Sequence, residues 1–145
     1  MAKQTELWDL PEVLVVHIKR FVFSVEDIDF VKVQEEVCFE KEMTISSVRK
    51  TTGTYDLYGV VHHYGSILGG HYSAEVRDLS NTEEESWFDC DDYHIKPLEE
   101  PEIKSSSAYL LFYWKRSEAR QRPATGRKVI GSRAATQSQR SIPST

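Results

Sequence analysis

The sequence predicts one mostly antiparallel β-sheet domain, residues 1–116, followed by a basic tail. About six short segments carry either alternating apolar and polar residues or dense β-branched and aromatic runs, both typical of strands. The segments between them are polar and short enough for hairpins, and no convincing amphipathic helix pattern accompanies them. A chain of 145 residues can bury one real hydrophobic core.

The first predicted strand covers residues 12–23, whose β-branched and aromatic density favours burial on both faces. Within it we interpret His17 as an ordinary strand residue. A second, more exposed strand is predicted over residues 31–39, and an irregular connection over residues 41–53. A loop or helical turn is predicted over residues 99–105. The remaining predicted strands cover residues 55–63, 71–77, 86–90, 94–98 and 108–115.

Charge divides the chain into two parts. Residues 117–145 contain six basic residues and one acid and almost no large apolar side chain, which predicts a disordered basic tail. The rest of the chain, residues 1–116, is an acidic body. Its charge favours a basic protein partner and argues against nucleic acid. The sequence shows no membrane-span pattern and no signal peptide, and its two cysteines favour an intracellular, reducing setting. It has no cysteine pair or histidine pair at zinc spacing, so no metal site or cofactor is predicted.

His71 stands where a glycine-rich loop, residues 64–70, enters a strand, and Asp91 and Asp92 end the next strand along the chain. A hairpin of this length brings the two ends together, so the pattern fits a general base and the acid that orients it. The alternative readings are a plain strand histidine and two solvated turn carboxylates.

A nucleophile is harder to find. Cys38 and Cys90 both lie among acids, an unfavourable setting for a thiolate, and neither precedes a helix. We therefore interpret both as small strand residues, and no serine occupies a nucleophile-elbow pattern. A self-contained protease that uses Cys38 with His71 and Asp91 remains an alternative.

Four blocks in order, residues 10–21, 55–74, 87–92 and 107–113, resemble the C-terminal half of the ubiquitin-specific protease catalytic domain. The resemblance implies an α+β papain-like cysteine protease fold of which this half is mostly antiparallel sheet. It implies that His71 is the base, that Asp91 orients it and that Asp92 is the adjacent acid. It also implies that a loop gates the channel for the ubiquitin C-terminus, with substrate-binding residues Tyr64, Gly65, Gly69, Gly70 and Tyr72.

Two departures from the family pattern follow. Cys90 stands where the family usually has phenylalanine, and the family's cysteine box and zinc-bearing fingers have no counterpart in this sequence. The expectation is therefore part of a thiol-dependent deubiquitinating hydrolase, intracellular in the cytoplasm or nucleus, which partners ubiquitin or ubiquitinated proteins and the N-terminal half of its own domain. The alternative is a catalytically inactive ubiquitin-binding or scaffold fragment.

Overall fold

A computed structural model describes residues 5–80 and 85–117. Those residues form eleven strands and no helix, so none of them forms a helix able to cross a membrane. The predicted tail lies outside the described residues beyond Ser117. The strands are β1 Val13–His17, β2 Phe21–Ser24, β3 Asp29–Lys32, β4 Val37–Cys38, β5 Glu42–Ser46, β6 Thr52–Ser66, β7 Gly69–Arg77, β8 Trp87–Asp91, β9 His94–Leu98, β10 Lys104–Ser105 and β11 Ala108–Lys115.

One seven-stranded antiparallel sheet dominates the fold, in the order β1-β11-β6-β7-β8-β9, with β5 pairing the first part of β6. The 15-residue β6 is its axis, since it pairs with β5, β11 and β7 along its length. Two small two-stranded sheets, β2–β3 and β10–β4, complete the fold. The predicted mostly antiparallel sheet is confirmed.

The inner face of the sheet carries the core. Side chains alternate between the faces of a strand, and the buried set includes Tyr55, Leu57, Val60, Trp87 and Tyr113. The two tyrosines keep their hydroxyls satisfied, since Tyr55 donates to the Pro11 carbonyl at 2.6 Å and Tyr113 donates to the Glu40 carbonyl at 2.9 Å. Burial of these aromatic rings is the main apolar contribution to stability.

The opposite face, here called the open face, is apolar and only partly covered. It is defined by Val13, Val15, Val76, Phe88, Ile95 and Phe112, which the strand register places on one side of the sheet. Val15 is 48% exposed and Ile95 65% exposed. The prediction that residues 12–23 are buried on both faces is therefore wrong among the described residues, because only Leu14, Val16 and Ile18 pack against the core.

Arg20 explains why the predicted first strand is two strands. Its guanidinium is buried and donates to the carbonyls of Ala108, Val33, Glu35 and Ser105 at 2.6–3.0 Å. Burial lowers the pKa of Arg20, and the negative charge of Glu35 opposes that shift. Four carbonyl acceptors satisfy the buried cation, so the chain leaves the sheet after β1 and starts the β2–β3 hairpin.

Four other element predictions are corrected. Residues 31–39 break into the end of β3 and the short β4, residues 41–53 contain β5, and residues 99–105 contain β10. The glycine-rich loop of residues 64–70 is mostly strand, because β6 and β7 continue through it to a tight turn at Ile67 and Leu68. The predicted strand over residues 94–98 is confirmed as β9.

Candidate functional site

The β7–β8 hairpin brings His71 and Asp91 together. Ala74 pairs with Cys90 across the two strands, so His71 and Asp91 lie diagonally on the same face. Nε2 of His71 lies 2.5 Å from Oδ1 of Asp91. The predicted proximity of the two residues is confirmed, and it arises because the hairpin register carries both side chains beyond the buried part of the sheet.

This hydrogen bond distinguishes the two ring nitrogens, because an ionised carboxylate can only accept a proton. A proton on Nε2 is held by the Asp91 carboxylate, which leaves the lone pair on Nδ1 to accept a proton from another group. Both side chains are about half exposed, 48% for His71 and 50% for Asp91. The Tyr64 ring stacks on the imidazole with centroids 6.4 Å apart. The pair can therefore act on a group that approaches from solvent.

Asp92 occupies the turn between β8 and β9 with a left-handed φ of 51°. Asp and Asn tolerate this backbone region better than other residues with a Cβ. Its carboxylate, that of Asp91 and the His71 ring have donor atoms within 4.8 Å of one another. The three are exposed, and Nε2 of His71 already binds Asp91, so this group is better suited to proton transfer than to holding a metal ion.

The glycines of the hairpin differ in what their positions require. Gly65 has a φ of +105°, and a Cβ there would lie 2.7 Å from the Gly69 carbonyl oxygen. A Cβ on Gly70 would overlap the Tyr64 carbonyl and the His63 ring, whereas Gly69 has open space around it. Gly65 and Gly70 therefore allow two backbones to approach closely, and Gly69 is free to contact a ligand.

An aromatic cleft of about 440 Å³ lies beside the hairpin, lined in part by His17, His63, Tyr72 and Tyr109. His63 is buried between the rings of Tyr72 and Tyr109, with centroids 4.7 and 5.6 Å away. Burial, and then the positive charge of Lys32, lower the pKa of His63, which keeps this ring neutral. Lys32 donates to the His63 carbonyl. The predicted residue Tyr72 is 54% exposed at the edge of this aromatic cleft.

Neither cysteine joins the His71–Asp91 pair. Cys90 immediately precedes Asp91 on β8, so its side chain points to the opposite face of the sheet. Cys38 lies in the separate β4–β10 sheet, opposite Lys104. Both are free thiols.

The sequence does not predict the aromatic cleft, nor that Arg20 helps to line it. The residues that form the cleft come from β1, β2, β6, β7 and β11, which are adjacent only in the folded sheet. The aromatic character of the strands was visible in the sequence, but its convergence at one end of the sheet depends on the β1–β11–β6 strand order.

Comparison with known proteins gives a single consistent family. The model of the family described as ubiquitin carboxyl-terminal hydrolase matches residues 2–113. The chain is 39% identical over 119 residues to ubiquitin carboxyl-terminal hydrolase 8 of Arabidopsis thaliana, covering 77% of this chain and 13% of that protein. It is 34% identical over 135 residues to the human ubiquitin carboxyl-terminal hydrolase 19, covering 84% and 10%. The chain thus spans about an eighth or less of these relatives' length.

Solved structures agree with the sequence relatives. A chain in a structure of the yeast SAGA DUB module superposes with a TM-score of 0.65 at 28% identity, covering 76% of this chain and 26% of that chain. A chain in a structure of the SAGA DUB module bound to ubiquitin aldehyde gives a TM-score of 0.63 at 26% identity, covering 76% and 26%.

Proposed function

The chain belongs to the ubiquitin carboxyl-terminal hydrolase family, and on that basis we propose that it supplies the histidine base and the orienting acid of a cysteine-dependent deubiquitinating centre. Its fold is that of a ubiquitin-specific protease catalytic domain region, papain-like in class and mostly antiparallel sheet here. The observation that carries the proposal is the 2.5 Å contact between His71 Nε2 and Asp91 Oδ1, close to the turn of the β6–β7 hairpin.

In this proposal Nδ1 of His71 takes the proton of a cysteine thiol, and the thiolate attacks the carbonyl carbon of ubiquitin's last glycine. The imidazolium is stabilised by the Asp91 carboxylate and returns its proton to the departing lysine amine. Water activated by the same histidine then hydrolyses the thioester, which releases ubiquitin and restores the thiol. The cysteine belongs to the N-terminal half of the same domain, since neither Cys38 nor Cys90 is placed for the role.

We propose that the ubiquitin C-terminal tail binds along the exposed end of the β6–β7 hairpin. Tyr64, Gly65, Gly69, Gly70 and Tyr72 lie on its two strands, and Gly69, which has open space around it, leaves the backbone bare where an extended tail would pass. The acidic body suits the basic ubiquitin tail. The two free thiols and this class of substrate favour an intracellular location for the protein, in the cytoplasm or nucleus.

A chimera tests the base directly. Residues 10–116 replace the matching segment of the Arabidopsis relative, and turnover of a ubiquitin–fluorophore conjugate is measured. We expect His71→Ala to lower kcat by about 100- to 10,000-fold. His17→Ala, an exposed histidine at the end of β1, is the matched control and should leave kcat unchanged. If His71→Ala turns over as fast as the parent chimera, the base assignment is wrong.

A second candidate is a catalytically inactive ubiquitin-binding module, which the placement of both cysteines away from His71 favours for the 145-residue chain itself. We expect this chain alone not to hydrolyse the conjugate. Turnover that disappears in Cys38→Ser would instead support the self-contained protease. Binding is followed separately by titrating labelled chain with ubiquitin, where shifts of Tyr64 and Tyr72 signals indicate a ubiquitin site whether or not the chain is catalytic.

A further inference from the structure

A second cluster of ionisable side chains lies further along the β6–β7 hairpin. His62 on β6 and Glu75 on β7 face the same side of the sheet, and Glu102 reaches them from the segment before β10. One donor atom from each lies within 4.8 Å of the others. His62 is only 3% exposed, which is unusual for an imidazole beside two carboxylates.

The His62 ring is fixed from one side only. Its Nδ1 lies 2.9 Å from the Ser107 hydroxyl, while its buried Nε2 has no hydrogen-bond partner. The nearest acceptor to Nε2 is Oε1 of Glu75 at 3.5 Å, close enough for charge attraction but beyond a normal hydrogen bond. With its proton on Nδ1, the ring aims a lone pair at a carboxylate, an arrangement that a cation between them would stabilise.

Glu75 is also oriented by its surroundings. Its Oε2 accepts the backbone N–H of Glu102 at 2.8 Å, which leaves Oε1 turned toward His62. The same bond holds Glu102 beside Glu75, so that its carboxylate lies within 4.8 Å of the other two donor atoms. A histidine held through its second nitrogen and a carboxylate held through its second oxygen are the outer-shell supports usual for metal ligands.

We propose that His62 Nε2, Glu75 Oε1 and the Glu102 carboxylate bind a divalent cation of the Zn²⁺ type. Ligand bonds of about 2.0–2.2 Å at tetrahedral angles place donor atoms about 3.4 Å apart, close to the 3.5 Å between His62 and Glu75. The exposed Glu102 side chain closes the third position, and water takes the fourth. Two carboxylates neutralise the charge of the ion, and the neutral imidazole completes a ligand set suited to first-row metals.

This site is distinct from the His71–Asp91 pair, although the two are neighbours. The Tyr64 ring lies between them, with centroids 6.3 Å from His62 and 6.4 Å from His71. The sequence predicts no metal site because it has no cysteine or histidine pair at zinc spacing, whereas these ligands come from three separated segments.

Calorimetric titration of the full 145-residue chain with Zn²⁺ tests the proposal. We expect one ion per chain, and we expect Glu102→Gln to weaken binding at least tenfold. Glu102 is exposed, so this variant should fold. Glu99→Gln is the matched control, since it removes a nearby exposed acid, and His71→Ala removes the other cluster. Both should bind within twofold of the parent chain.

Nitrogen-15 NMR of the His62 ring gives a second readout. Zn²⁺ should shift the Nε2 resonance strongly while the proton on Nδ1 is retained. No Zn²⁺ binding overturns the proposal, as does binding that Glu102→Gln leaves unchanged. A His62 ring that is doubly protonated and insensitive to Zn²⁺ overturns it too, because Glu75 and His62 would then form a simple ion pair.

Discussion

Gly70 lies directly against the buried His63 ring, so closely that a Cβ at this position would overlap His63 Nε2 and the Tyr64 carbonyl oxygen. Two adjacent glycines of the hairpin are therefore not equivalent. Gly70 lets β7 approach β6 where the chain delivers His71, whereas Gly69 has no atom within 4 Å of its would-be Cβ. The position of His71 therefore depends on Gly70.

Gly70→Ala should thus destabilise the fold by about 1–3 kcal/mol, because the overlap displaces the Tyr64 backbone and a buried ring that has little room to move. Gly69→Ala, the matched control, should be neutral or slightly stabilising. Urea unfolding measures both, and NMR of the His71 ring reports whether its bond to Asp91 survives. Equal stability of the two variants would contradict the close packing of Gly70.

Asp91 and Asp92 are neighbours with different expected contributions. In the chimera, Asp91→Asn should lower kcat by up to about 10,000-fold, because an amide oxygen can accept the Nε2 proton but carries no charge to stabilise the imidazolium. Asp92→Asn keeps the left-handed turn, since Asn tolerates it, and should stay within about tenfold of the parent. The ratio of the two kcat values is the measurement. A larger loss at Asp92 would make that residue the orienting acid.

Arg20 should be a larger determinant of stability than any surface cation. Arg20→Ala leaves four carbonyls without their donor and should lower the free energy of unfolding by about 3 kcal/mol or more. Lys19→Ala, which removes an exposed charge beside it, should change it by no more than about 0.5 kcal/mol. Chemical unfolding of the two variants compares them, and a loss below 1 kcal/mol for Arg20→Ala would show that water replaces the guanidinium.

Tyr113 makes the fold sensitive to alkali. Burial, and then the charge of Glu40, raise the pKa of Tyr113 to about 12, above its ordinary value of 10. The neutral phenol is thus favoured in the folded state, and its contribution is full below pH 10 and lost as the pH rises through 12. The loss should reach at most about 3 kcal/mol. Unfolding measured against pH should show a shallower fall in Tyr113→Phe, with the remainder due to Tyr55, whose pKa burial also raises.

The open face should bind hydrophobic dye and promote self-association of the chain, because contiguous apolar surface is uncommon on monomers. Val15→Thr should weaken dye binding with little change in stability. Val60→Thr, the same substitution on the buried face, should cost about 1–3 kcal/mol because it buries a hydroxyl. Fluorescence and sedimentation measure the effects. A monomer that binds no dye would show that the open face is too small to matter.

The sequence predicted strands well where alternation was strong and local. It predicts the segments that form β6, β7, β8 and β11. It also predicts that His71 and Asp91 lie close together, because the length of the β7–β8 hairpin fixes which strand ends meet. Arg20 could not be assigned its role from its neighbours, since its four acceptors come from distant segments. The His62 cluster was missed for the same reason, and the exposure of Val15 depends on which strands flank β1.

The pairing of β1 with β11 also orders events in time. Val13 has Trp114 as its partner, so β1 has no neighbour in the sheet until about a hundred further residues have been synthesised. At 5–20 residues per second, a ribosome takes roughly 5–20 s to supply them. During that interval β1 has no partner strand and β6 lacks its partner on the β11 side, and closure must then bring distant segments together. Assembly of the sheet is therefore a late and slow step, and the nascent chain depends on whatever holds its strands apart until then.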